Sequence, residues 1–175
     1  MRYLKPYKVF EDVDDFSKFV KDINADIEFD YYEGASVSDL VGKIVADIII
    51  NPDKTEMLLI IEGEGEYEIY KFYHDQDCCE HVSLYDVNGD LDDLIDEVIL
   101  QAEEVSRTAE DNEVSESGNW TFYKFATKKG YVTLRWLGES NGYYSERMDF
   151  VKSTTIIDSH EDLIQKLYSK SPYQK

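Results

Sequence analysis

The run GKIVADIII, the break Asn51-Pro52-Asp53, the run EMLLIIEG, a glycine-containing break and the run EYEIYKFYH constrain this chain more than any other part of it. β-Branched and aromatic side chains suit a pleated, packed surface, while Asn, Pro, Asp and Gly at the breaks favour chain reversal. Strands joined by turns this short run antiparallel, because a parallel return needs a crossover of about a dozen residues. The spacing therefore predicts a three-stranded meander. Three more strands are predicted further on, NWTFYKFAT, YVTLRWLGE and YYSERMDFVK, separated by Lys-Lys-Gly and Ser-Asn-Gly, with Asn141-Gly142 as a hairpin signal. Between the two groups, HVSLYD reads as a short strand, Leu91, Leu94 and Ile95 as a helical turn, and VILQAEEV as a returning strand.

Helices are expected at both ends. Val13, Phe16, Phe19, Val20 and Ile23 recur at three- and four-residue steps, which predicts an amphipathic helix over 12–24. Asp158 and Ser159 precede Glu161 and Asp162 at capping-box spacing and open a second helix carrying Leu163, Ile164, Leu167 and Tyr168. Between the first helix and the meander, 27–32 alternates apolar and acidic residues as a strand would. The expected class is α+β, dominated by an antiparallel meander or rolled sheet, with amphipathic helices at both ends. At 175 residues the chain suits a single domain, with 1–38 as an N-terminal extension, 40–152 as a β-rich core and 153–175 as a C-terminal helix.

The formal net charge is -20. Such a charge opposes direct contact with phosphate backbones or anionic membranes, since each approach is repulsive instead of releasing counterions. No apolar run reaches membrane-spanning length, and the first residues lack the apolar core of a signal peptide, so a cytoplasmic protein is expected. The charge is also polarised: 75–117 holds 15 acidic residues against the single basic Arg107, whereas 118–152 has six basic against three acidic. Within the acidic part, SRTAEDNEVSESG has almost no large apolar side chain and is expected to project as a mobile loop. Asp90, Asp92, Asp93, Glu103, Glu104, Glu110, Asp111, Glu113 and Glu116 form the predicted acidic interaction surface.

The stretch YHDQDCCEHVSLYDVNGD places both cysteines of the chain, Cys78 and Cys79, between His74 and His81. Zinc sites usually space paired cysteines by two residues so that both sulfurs converge, and adjacent cysteines on a strand point to opposite faces. Neither a zinc site nor a structural disulfide is expected, and no cofactor is called for. Asp86, Asn88, Asp90, Asp92 and Glu97 match the oxygen-ligand spacing of a twelve-residue calcium loop, but Leu91 stands where the sharp turn needs glycine. An acidic helical N-terminus explains the same residues. A cysteine nucleophile would need a lowered pKa, and acidic surroundings raise it. The segment IEGEGEY lacks the lysine of a phosphate loop.

HDQDCCE, VSLYDVNGDLDDLI, WTFYKFATKKGYVTLRW and GESNGYYSERMDF together resemble a family of uncharacterised bacteriophage and prophage proteins with a Gln-Asp-Cys-Cys-Glu signature. The resemblance covers about 40–152, departs at Asp96-Glu97, and leaves both ends as additions. It implies a phage-encoded protein. Joined to the charge, it leads to the expectation of an acidic binding protein that inhibits or modulates a host defence or nucleic-acid-processing protein through a basic surface, nucleic-acid mimicry being one version. The alternative is a nucleotide-like ligand held in an aromatic and arginine pocket at a sheet edge, lined by His74, Gln76, Asp77, Glu80, Arg135, Trp136, Asn141, Tyr143 and Tyr144. Catalysis is the less favoured reading.

Overall fold

A computed structural model describes residues 8–9, 27–155 and 157–159. Among the described residues nine strands form two sheets: β1 (Lys8–Val9), β2 (Ile44–Ile50), β3 (Met57–Glu62), β4 (Tyr67–Tyr73), β5 (Glu80–Asn88), β6 (Gln101–Thr108), β7 (Ser117–Ala126), β8 (Tyr131–Ser140) and β9 (Asp149–Lys152). The first sheet has the order β1-β2-β3-β4-β9 and the second β5-β8-β7-β6. All pairings between these strands are antiparallel except that of β1 with β2.

The meander forms where the sequence places it, and its near-continuous apolar runs have a physical cause: the first sheet is covered on both faces. Ile48, Ile50, Met57, Leu59, Tyr70 and Phe72 face the second sheet, whose Val82, Leu84, Tyr123, Phe125, Leu134 and Trp136 complete the main core. On the other face, Ile49, Leu58, Ile60 and Ile69 pack with Ile27 and Ile157 from the flanking segments. Alternate residues of one strand thus enter different cores, as strand geometry requires. Full burial of side chains of this size contributes roughly 1.5–3 kcal/mol each.

The α+β class is corrected. Among the described residues the fold is β throughout, and its helical structure consists of two short 3-10 turns, Val37–Leu40 and Leu91–Asp93. The helix predicted over 12–24 lies outside the described residues, as does the body of the one predicted after Ser159. The 27–32 segment does not extend as a strand either; it turns after a single bridge between Phe29 and Ser153. None of the helices among the described residues is long and apolar enough to cross a membrane.

Two further expectations change. Asn141-Gly142 does make a turn, with Gly142 at φ 85° and the Tyr143 N–H donating to Asn141 Oδ1 at 3.1 Å. It does not make a hairpin, because the chain leaves β8 in the second sheet and enters β9 in the first, beside β4. Likewise, both ends of the expected mobile loop are ladder. β6 runs to Thr108 and β7 starts at Ser117. The remaining tip is closed by Ala109 N–H donating to Gly118 O at 2.9 Å and by Arg107, whose guanidinium grips Glu113 with bonds of 2.7 and 2.8 Å.

Candidate functional site

Two chain crossings connect the sheets, 74–79 from β4 to β5 and 141–148 from β8 to β9. They bring the HDQDCCE and ESNGYYSER strings together. His74, at the end of β4, has Nδ1 2.6 Å from Arg147 O and Nε2 2.9 Å from Glu80 Oε1. Both side chains are buried, at 5% and 3% exposure. A carbonyl oxygen only accepts, so Nδ1 carries the hydrogen of its bond to Arg147 O. Glu80 Oε1 also accepts the Asp77 N–H at 2.8 Å, while its Oε2 is buried without a partner.

Around this pair the first crossing is fixed by polar contacts. Gln76 bonds Val82 twice, donating Nε2–H to its carbonyl at 2.9 Å and accepting its N–H at 3.0 Å, in the manner of a neighbouring strand. The Asn141 N–H donates to Cys79 O at 3.3 Å, joining the two crossings a second time. Gly138 lets the second crossing lie close over β8, since a Cβ there would strike the Glu146 backbone. Ser140 Oγ donates to Glu146 Oε1 at 2.6 Å and accepts the Gly142 N–H at 2.9 Å.

At the outer surface of this clasp sit Cys78 and Cys79, both free and exposed. The expectation of opposite directions is overturned: the pair occupies a tight turn, Cys79 has φ 68°, and the two Sγ atoms are 2.7 Å apart. The Cys79 thiol is pushed above its ordinary pKa by its hydrogen bond with Cys78, then by desolvation and by the charges of Cys78 and Asp77. The Tyr144 phenol is raised as well, first by the charge on Cys78 and next by hydrogen bonding to it.

The structure divides the predicted ligand-binding set. His74, Gln76, Asp77, Glu80, Asn141 and Tyr144 converge at the crossings, and Tyr143 stands beside them with its side chain exposed. Trp136 is fully buried in the core. Arg135 lies on the outer face of the second sheet, where it pairs with Asp86 at 2.9 Å and covers the Trp120 ring at 5.0 Å. That face carries a cluster that strand alternation in the sequence could have revealed: Arg107, Tyr85, Trp120 and Phe122, with Tyr85 edge-on to Trp120 and Arg107 over both Trp120 and Phe122. A register shift between Leu84 and Asp86 gives Tyr85 and Asp86 both access to it.

The calcium spacing does not become a cage. Asp86 is committed to Arg135, Asn88 is a strand residue, Asp90 caps the 3-10 turn by accepting the Asp92 N–H at 3.0 Å, and Glu97 faces Lys129 at 3.8 Å. Among the described residues no group of three or more His, Cys, Asp or Glu side chains is placed to hold a metal ion. In the acidic set, Glu103 accepts from Gln101 at 2.6 Å. Glu104 is pushed above the ordinary carboxylate range, chiefly by burial.

Fold and site together define a two-sheet β domain whose sheet-to-sheet crossings are clasped by a buried His–Glu pair beneath an exposed dithiol. Residues 38–150 match the family described as a domain of unknown function, DUF7448, and the protein belongs to that family. The matched region begins at the first 3-10 turn, ends in β9 and contains both crossings. No curated protein and no solved structure matches.

Proposed function

We propose that this protein is an acidic cytoplasmic binding module that engages a host protein with a basic surface. The observation that carries this reading is β6. Among the described residues it is the edge strand of the second sheet, and Glu103 to Thr108 are all exposed along it. An edge strand offers backbone hydrogen bonds to an added strand. Its charges, continued by Glu110, Asp111 and Glu116 in the adjoining tip, select a cationic one. The pocket version of ligand binding has lost Trp136 to the core and Arg135 to another face, so it is not the reading adopted.

The test is affinity for a partner isolated by crosslinking in expressing cells, measured against salt. Affinity falls steeply as salt rises, since screening confines surface charge to about 8 Å near physiological ionic strength. Replacing Glu103, Glu110, Asp111 and Glu116 by lysine abolishes binding, whereas Arg135→Ala and Tyr144→Ala leave it intact. Unchanged binding by the four-lysine variant overturns the proposal.

A further inference from the structure

We infer that Cys78 and Cys79 form a reversible redox site, closing to a ring disulfide by exchange with a small-molecule disulfide. This inference is independent of the acidic surface. Adjacent cysteines in a strand would diverge, but the left-handed conformation of Cys79 at φ 68° abandons strand geometry, and the sulfurs meet at 2.7 Å. The turn is held in this form from both sides. The Cys78 N–H donates to Asp77 Oδ1 at 2.7 Å, the Asn141 N–H to Cys79 O at 3.3 Å, and the Asp77 N–H to the buried Glu80 carboxylate at 2.8 Å. Apposition is thus built into the clasp, and both thiols are open to solvent.

Neighbouring Cα atoms across a trans peptide are about 3.8 Å apart, below the roughly 4.4–6.8 Å usual for disulfides. A bond here is strained and readily reduced, which places it with labile, regulatory disulfides and not with structural ones. The exchange balances without any further reactant. One of the two cysteines, as its thiolate, attacks one sulfur of the disulfide RSSR, forming a mixed disulfide and releasing one thiolate. The other cysteine then loses its proton, and its sulfur attacks that of the first, closing the ring and expelling the second thiolate. Two cysteine thiols lose two electrons, and RSSR becomes two RSH.

The experiment incubates the reduced full chain anaerobically with excess oxidised glutathione, quenches with N-ethylmaleimide and measures intact mass. Expected is loss of two hydrogens with no glutathione or maleimide adduct, reversed by a monothiol reductant. Cys78→Ser and Cys79→Ser instead each hold one stable glutathione adduct. The Asn141 amide resonance shifts on oxidation of the wild type and not of Cys79→Ser. Stable glutathione adducts on the wild type, two alkylatable thiols after incubation, or disulfide-linked dimers each overturn the ring.

Discussion

Replacing His74 by alanine tests whether the clasp between the crossings stabilises the fold. The substitution deletes the bonds to Arg147 O and Glu80 Oε1 and leaves a carboxylate of 3% exposure with only the Asp77 N–H. Breaking a buried pair by removing one partner costs about 3–5 kcal/mol, because an uncompensated charge remains. Glu80→Ala removes the other partner and is expected to cost a similar amount. The double variant leaves no stranded charge, so its cost falls short of the sum of the two by about 1–3 kcal/mol. Urea unfolding reads all three: with a slope of about 2 kcal/mol/M, a loss of 3 kcal/mol lowers the midpoint by roughly 1.5 M. Additive single effects, or single variants within about 0.5 kcal/mol of wild type, would refute the clasp as a coupled unit.

Two other perturbations follow from the geometry. Gly138→Ala forces a Cβ against the Glu146 backbone and is expected to destabilise by about 1–3 kcal/mol and to shift amide resonances across 141–148; a neutral variant with unmoved resonances rejects the close approach. Glu113 is held down to about 2 from the ordinary glutamate value of 4.5, first by its hydrogen bond with Arg107 and next by one from the Glu110 backbone. A depressed carboxylate stabilises above its unfolded pKa and loses that contribution as pH falls through the folded value, so the β6–β7 tip opens between about pH 4.5 and 2. Carboxyl NMR should find the Glu113 midpoint near 2 and return it to the ordinary range in Arg107→Gln. An ordinary midpoint in the wild type contradicts the grip.

Local pattern determined the strands of this protein. The runs of β2, β3 and β4 are long, β-branched and bounded by turn formers, so no distant contact was needed to define them, and the pairs Gln101↔Ala126 to Thr108↔Asn119 and Ala126↔Tyr131 to Ser117↔Ser140 follow from hairpin proximity. Sequence also set the charge of the β6–β7 tip. It could not say which sheet each strand joins. Asn141-Gly142 carries hairpin chemistry, yet β9 finds its partner in β4, because Phe150 packs with Tyr70 and Phe72, at ring distances of 5.4 and 4.5 Å, in the core between the sheets. The tertiary fold alone decided the rest: two crossings far apart in the chain meet, His74 lies against Arg147, and the turn they hold reverses the direction expected for Cys79. Strand alternation is a rule for extended backbone, and the clasp takes these two cysteines out of it.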